Sequence, residues 1–270
     1  MKNILISEFY KLIKSFSALI IIVFPIIICL LVFIDQIDYS IKDFIIDKDV
    51  TKERNNLFLF YSQFFTIYFF LLNIFIVTSV LVYFFINKGS RIILYTYVSY
   101  QNLFNILVVK LFFFLISFLV IQLFVFIFSL LICKGILSLK PDFDVPMDIA
   151  SLLLIFLSFY KINFASLGAV AFSWILALLT RNFIIIVPSV FLIGSILDID
   201  SLPFNNSINS FVLLYKNRKL VFSENESSSI YNSLSPNFND LYSFLWICIV
   251  ILIIWIMSKK FPAYLFKVNS

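Results

Sequence analysis

Side chains that could carry out catalysis are scarce in this sequence, and none of the usual catalytic sets is complete. The chain has no histidine, so it lacks the commonest general base and the commonest metal ligand. Its three cysteines, Cys29, Cys133 and Cys248, fall in or at the end of apolar runs, where an odd number favours neither a disulfide framework nor a metal site. The four glycines are too far apart for a phosphate-binding loop. We therefore expect no catalytic residue, no metal ligand and no bound cofactor in this chain.

A few polar side chains lie within or at the edge of the apolar runs, and they are the candidates for lining a translocation cavity. They are Asn73, Gln122, Lys161 and Asn163. The plainer interpretation is that the amides form interhelical hydrogen bonds and that Lys161 extends its amine to the outer headgroups. An intramembrane protease would need paired acids, a serine with a histidine, or zinc ligands, and the apolar runs offer none of these.

Small residues recur at every fourth position in one apolar run. They are Ala165, Ala169, Ser173 and Ala177, with Gly168 beside them. On a helix this spacing forms one stripe, which allows a second helix to approach closely. The second helix could belong to the same chain or to a partner subunit, and the spacing favours neither.

The composition shows what kind of scaffold must position these residues. Hydrophobic residues make up 62% of the 270-residue chain and charged residues only 13%, whereas a soluble domain carries roughly 25% charged residues. Mean hydropathy is +1.06. Apolar runs of about 20 residues recur, and the ten-residue alternation of a barrel is missing. The sequence predicts an all-α integral membrane protein.

Six apolar segments are candidates for transmembrane helices. We place them at residues 17–34, 58–86, 108–133, 162–180, 183–199 and 241–257. Residues 1–16 have apolar side chains at helical spacing, which predicts an amphipathic helix in the membrane interface; a positively charged flank is the alternative. The apolar run 149–180 is too long for one simple crossing, so we expect a break near Lys161. Residues 149–160 would then be an interfacial segment, a re-entrant segment or the outer extension of a long helix.

Charges are sorted between the two sides of this arrangement. One side holds the amino terminus, the loop 87–107 between spans two and three, and the carboxyl terminus. The basic residues of that side are Lys2, Lys11, Lys14, Lys88, Arg91, Arg181, Lys259, Lys260 and Lys267. Of the 15 acidic residues only Glu8 lies there, and the others lie on the opposite side, which includes the outer segment 200–240. The positive-inside rule then predicts that both termini are cytoplasmic. The same basic residues account for the high pI, so the pI gives no reason to expect nucleic-acid binding.

Short polar segments in this arrangement resemble those of a known family. Residues 87–91 (NKGSR) and 98–101 (VSYQ) precede span three, which Lys110 enters, and residues 7–12 (SEFYKL) precede span one. With six spans, both termini inside and a large outer segment before span six, the chain resembles permease subunits of the ABC-2 type. Closest in size are the short permeases of lantibiotic-protection exporters, which serve bacteriocin immunity. Asn87 stands where the family has glutamate.

This resemblance implies a half-transporter that moves an amphipathic peptide or a lipid-like substrate out of the cell. ATP and Mg would be bound by a separate ATPase subunit, and a second permease, identical or a sister subunit, would complete the pathway within the cytoplasmic membrane. The ATPase would contact the amino-terminal helix and the loop 87–107. The coupling residues that the resemblance implies are Glu8, Lys11, Lys88, Gly89, Ser90, Arg91, Tyr95, Ser99, Tyr100 and Gln101.

Two other classes of function fit parts of the sequence. A non-transporting scaffold or assembly protein would use the same loops only to recruit partners. A secondary transporter would need buried ionisable groups to couple transport to an ion or proton gradient, and the apolar runs supply few of them.

Overall fold

Helices make up all of the chain that the computed structural model describes. The described residues are 6, 23, 26–31, 34, 67–87, 103–138, 149–180 and 238–260, and no strand occurs among them. The long helices are α1 (Ile67–Asn87), α2 (Leu103–Ser138), α3 (Ile149–Thr180) and α4 (Phe238–Lys260).

Three of these helices are long and apolar enough to cross a membrane. The apolar stretches are Leu103–Ile132 in α2, Phe159–Thr180 in α3 and Leu241–Lys259 in α4, and α1 contains a shorter one, Asn73–Tyr83. They overlap the third, fourth and sixth spans expected from the sequence. The described structure is therefore consistent with a helical membrane protein. The expected span 183–199 lies outside the described residues.

Helix α3 is continuous through Lys161, so the break expected there does not occur. Its 32 residues rise about 48 Å, whereas the hydrocarbon core of a bilayer is about 30 Å thick. No proline lies within the helix to interrupt its hydrogen bonds, and α2 packs alongside it on both sides of Lys161. Residues 149–160 are thus the continuation of a long helix, one of the three alternatives left open by the sequence.

Aromatic contacts show that α2 and α3 run in opposite directions. The rings of Phe126 and Phe159 stack with centroids 4.4 Å apart, and those of Phe114 and Trp174 lie 6.2 Å apart. Residue numbers therefore fall along α2 as they rise along α3. This is the arrangement expected of consecutive membrane crossings joined by the segment 139–148.

Helices α3 and α4, in contrast, run in the same direction. Ser243 contacts the turn between Phe164 and Gly168, and farther along both helices the rings of Phe172 and Trp246 meet edge to face at 4.9 Å. Two parallel helices joined by one chain require that the chain return to the starting side between them.

Helix α3 is the centre of the bundle. In the apolar stretch of α3, 72% of the residues are buried, against 22% in α4, and α3 packs against the other three long helices. Helix α2 buries one face and exposes an apolar stripe on the other. The exposed stripe consists of Phe112, Ile116, Val120, Leu123, Phe124, Ile127, Phe128 and Leu131. Such a one-sided apolar surface suits contact with lipid.

The contact between α3 and α4 generates the first prediction. A Cβ atom added at Gly168 would lie 3.1 Å from the Cβ of Trp246 and 3.2 Å from the Cα of Ser243. Because the latter belongs to the backbone of α4, Gly168→Ala should force the helices apart and lower the free energy of unfolding by about 1–3 kcal/mol. Thermal unfolding of the purified protein in detergent measures this loss.

Gly135→Ala in α2 is the matched control. Among the described residues no atom lies within 4 Å of a Cβ at that position, so the substitution should leave stability unchanged or raise it through the higher helix propensity of alanine. Equal losses for the two variants would contradict the importance of the close approach at Gly168.

Candidate functional site

All four polar side chains that the sequence singled out are buried inside the helical bundle. The exposed fractions are 1% for Asn73, 1% for Gln122, 6% for Lys161 and 2% for Asn163. Lys161 therefore does not extend to the surface as a snorkelling lysine would. The exposed face of α3 at this level is instead occupied by Tyr160 and Phe164, whose rings stack with centroids 5.7 Å apart.

Two of these side chains, Gln122 and Asn163, lie at the same level of facing helices. Gln122 is one helical turn from Phe126 on α2, and Asn163 is one turn from Phe159 on α3. The two phenylalanines stack on each other. Because the helices are antiparallel, one turn backward along α2 from Phe126 and one turn forward along α3 from Phe159 reach the same level of the bundle. The structure thus places the two residues at the same level of the bundle, one turn from the Phe126–Phe159 pair.

The two amides at this level are incompletely hydrogen-bonded. The Nδ2 of Asn163 donates to the carbonyl oxygen of Phe159 at 2.9 Å. In the part of the chain that the structure describes, neither the Oδ1 of Asn163 nor the Nε2 of Gln122 has a partner. At these two atoms the expected interhelical hydrogen bond is therefore not seen among the described residues. A buried polar group left unpaired costs about 1–3 kcal/mol, so such groups call for a reason other than stability.

Unpaired polar atoms also occur at Asn73 and at two positions that the sequence did not single out, Thr78 and Ser129. On α1 both amide atoms of Asn73 and the hydroxyl of Thr78 are buried without a partner among the described residues, and on α2 the same holds for the hydroxyl of Ser129. Lys110 of α2, expected near the end of a span, is buried as well, but it is not one of these unpaired groups. A threonine or serine in an apolar helix usually bonds to its own backbone, so the sequence carries no signal for these positions.

The stripe of small residues packs within the chain. Ala165, Ala169, Ser173 and Ala177 are all fully buried, and the hydroxyl of Ser173 donates to the carbonyl of Ala169 at 2.8 Å. Gly168 beside them meets the backbone of α4. In the described structure these side chains are covered by helices of the same chain, which leaves them inaccessible to a partner subunit.

Ser243 connects α4 to the backbone of α3. The amide N–H of Gly168 donates to the hydroxyl oxygen of Ser243 at 2.8 Å, and this hydroxyl donates to the carbonyl oxygen of Phe164 at 3.1 Å. The amide and carbonyl are separated by four residues, and they are the pair that bond to each other in a regular α-helix. Ser243 therefore bridges one turn of α3 next to the level of Asn163.

The other described hydroxyl groups with a hydrogen bond behave differently, because they bond within their own helix. Each donates to a carbonyl three or four residues earlier, which satisfies it without a partner helix. These residues are Ser79, Ser117, Ser166, Ser173, Thr180 and Ser258. Ser243 is missed by sequence reasoning because nothing in its neighbourhood distinguishes it from this group.

The coupling residues that the family resemblance implies lie outside the described residues. They are Glu8, Lys11, Lys88, Gly89, Ser90, Arg91, Tyr95, Ser99, Tyr100 and Gln101. Their positions in space stay a prediction, as does the amphipathic helix 1–16.

The comparison of this chain with known proteins finds no relative. No family model matches the chain, and no curated protein or solved structure matches it. What the described helices offer chemically is hydrogen bonding inside an apolar bundle: an unpaired amide donor at Gln122, an unpaired amide acceptor at Asn163, and a hydroxyl bridge at Ser243.

The unpaired amide of Gln122 generates the second prediction. Gln122→Leu replaces the amide by an apolar side chain of similar size, so the penalty for burying the unpaired donor disappears. We expect the free energy of unfolding to rise by about 1 kcal/mol. Thermal unfolding of the purified protein in detergent measures this effect.

Leu123→Ala is a control on the exposed face of the same helix, where the smaller side chain should change unfolding little. A clear loss of stability in Gln122→Leu would mean that the amide is paired in the working protein, contrary to the arrangement described above.

Proposed function

We propose that this chain is the permease subunit of an ATP-binding cassette exporter. It would cross the cytoplasmic membrane six times with both termini in the cytoplasm. It would export an amphipathic peptide or a lipid-like substrate, using ATP and Mg bound by a separate ATPase subunit. A second permease, either a copy of this chain or a sister subunit, would form the other half of the pathway.

The observation that carries the proposal is the direction of the helices combined with the positions of the charges. Since α2 is antiparallel to α3 and α3 is parallel to α4, the start of α2 and the ends of α3 and α4 lie on one side of the bundle. In the sequence, basic residues without acidic neighbours accompany these three ends. They are Lys88 and Arg91 before α2, Arg181 after α3, and Lys259 and Lys260 at the end of α4. Such a one-sided excess is typical of cytoplasmic loops, which supports the proposed orientation.

The parallel packing of α3 and α4 also supports a six-span arrangement. The chain must return between these helices, and the apolar run 183–199 is the segment there that is long enough to cross. The run 17–34 and the helix α1, together with this return, would complete six spans. An even number of crossings brings the carboxyl terminus back to the side of the amino terminus.

The interior and surface of the bundle agree with a transport role. Buried amides without partners among the described residues can exchange hydrogen bonds with a passing substrate at little cost, because no existing bond has to be broken. The helices that surround them are apolar and aromatic, which suits an amphipathic molecule. Coupling to the ATPase would run through the loop 87–107 and the amino-terminal helix, as the family resemblance implies.

Co-purification tests the proposal directly. The tagged full-length chain is extracted from its native membrane, and the proteins that accompany it are identified by mass spectrometry. We expect a stoichiometric ATPase that is lost when residues 88–91 are replaced, because that loop would hold the docking surface. Recovery of the chain alone, or with unrelated membrane proteins, would overturn the exporter and favour the scaffold.

A third prediction concerns coupling in the reconstituted complex. Arg91→Ala and Tyr100→Ala should each lower substrate-stimulated ATPase activity about tenfold, since both residues would transmit movement between the subunits. Arg54→Ala is the matched control, because Arg54 lies in the acidic loop on the opposite side. Unchanged stimulation in the Arg91 and Tyr100 variants would count against the coupling loop.

A further inference from the structure

In the described helices, the buried polar atoms that lack a hydrogen-bond partner lie on α1, α2 and α3. They are Nδ2 and Oδ1 of Asn73 and Oγ1 of Thr78 on α1, Nε2 of Gln122 and Oγ of Ser129 on α2, and Oδ1 of Asn163 on α3. Each of these five side chains is at most 2% exposed. Among the described residues of α4, the buried polar side chain is Ser243, and its hydroxyl is bonded to α3.

The helices that carry the unpaired atoms share their contacts with one another. Helices α1, α2 and α3 each pack against the other two. The most extensive contact among the described helices is instead the one between α3 and α4, which includes the close approach at Gly168 and the hydroxyl of Ser243. The unpaired atoms therefore belong to the less extensive contacts of the bundle.

The five side chains are spread along the helices instead of being gathered at one level. Gln122 and Asn163 lie at the same level on the contacting faces of α2 and α3. Ser129 lies two turns from Gln122, about 10 Å along the same face of α2. On α1, Thr78 lies about 7.5 Å along the helix from Asn73. Polar groups thus occur at several depths within this part of the bundle.

Separation of α1, α2 and α3 would give the unpaired atoms the partners that they lack. The separation of packed apolar helices is opposed by the exposure of apolar surface to water. Between these three helices that cost is offset in part, because each unpaired donor or acceptor gains a hydrogen bond when water reaches it. Separation of α4 from α3 has no such compensation, since Ser243 is already bonded.

We propose that α1, α2 and α3 enclose a cleft that opens to water, and that this cleft is the part of the substrate pathway contributed by this chain. In the closed arrangement the five polar side chains are buried. In the open arrangement they line the wetted surface, where they meet the polar part of the substrate, while α3 and α4 stay together. The opening to water is a property of the bundle, whereas its use by a substrate rests on the proposed export function.

The reaction of single cysteines with N-ethylmaleimide tests the opening in the full-length chain in native membrane vesicles. The maleimide reacts with the thiolate, which forms in water and is disfavoured in apolar surroundings. The native Cys29, Cys133 and Cys248 are replaced by alanine, and Thr78→Cys or Ser129→Cys supplies the one thiol of each variant. Thiols that remain unreacted are counted after denaturation with a polyethylene glycol maleimide, which shifts the band on a gel.

Two controls separate opening to water from other causes of reaction. Val250→Cys lies on α4, and Val250 is as fully buried as Thr78 and Ser129, each 0% exposed. A chain that keeps only the native Cys248, which is exposed on α4, reports reaction from the lipid side. We expect Thr78→Cys and Ser129→Cys to react about tenfold faster than either control, because only their thiols meet water when the cleft opens.

Gln122→Leu in the Ser129→Cys chain tests whether the unpaired groups favour the opening. The substitution removes one donor that gains a partner in the open arrangement, so it should slow the reaction of the cysteine about fivefold. Leu123→Ala on the exposed face of the same helix is the control and should leave the reaction rate unchanged.

A rate at Thr78→Cys or at Ser129→Cys that equals the rate of the two controls would overturn the proposal. Rapid reaction that Gln122→Leu leaves unchanged would also overturn it, since the unpaired groups would then not favour opening. Should one cysteine variant fail to reach the membrane, the other decides the outcome. The assay needs neither the ATPase nor a substrate, so its failure leaves the exporter to be judged by co-purification.

Discussion

The absence of a side chain at Gly168 is the constraint on which the described bundle depends. It lets the backbone of α4 come close enough for Ser243 to reach the backbone of α3, and the hydroxyl then fixes the relative height of the two helices. Phe172 and Trp246 continue the same contact farther along. Because α3 also packs against α1 and α2, its contact with α4 ties the least buried helix to the rest of the core.

The polar side chains in this apolar bundle fall into two groups, those that are hydrogen-bonded within their own helix and those that keep an unpaired atom. Most hydroxyl groups bond to a carbonyl of their own helix, which satisfies them wherever the helix packs. The amides of Asn73, Gln122 and Asn163 each retain at least one unpaired buried atom in the described structure, even though the Nδ2 of Asn163 bonds to the Phe159 carbonyl of its own helix. Stability alone would favour apolar side chains at these positions, so their presence points to a role in function.

The sequence predicted the broad architecture because length and apolar character alone decide whether a helix can cross a membrane. The runs around 108–133, 162–180 and 241–257 needed no knowledge of neighbouring helices. The break at Lys161 was wrong because the penalty for a lysine depends on what surrounds it, and α3 lies in the middle of the bundle. Ser243 could not be predicted because nothing in its sequence context distinguishes it from Ser173, a serine in an apolar helix that bonds within its own helix.

The packing of α4 on α3 also has a consequence for the order in which the chain assembles. The two bonded residues Gly168 and Ser243 are 75 positions apart, and in the proposed six-span topology the intervening chain crosses the membrane before α4 enters parallel to α3. In that topology, α3 is inserted during synthesis before α4 covers the face that carries Gly168. This interval is when an insertion chaperone or a membrane protease would meet the nascent chain, and arrival of α4 closes the surface that either would recognise.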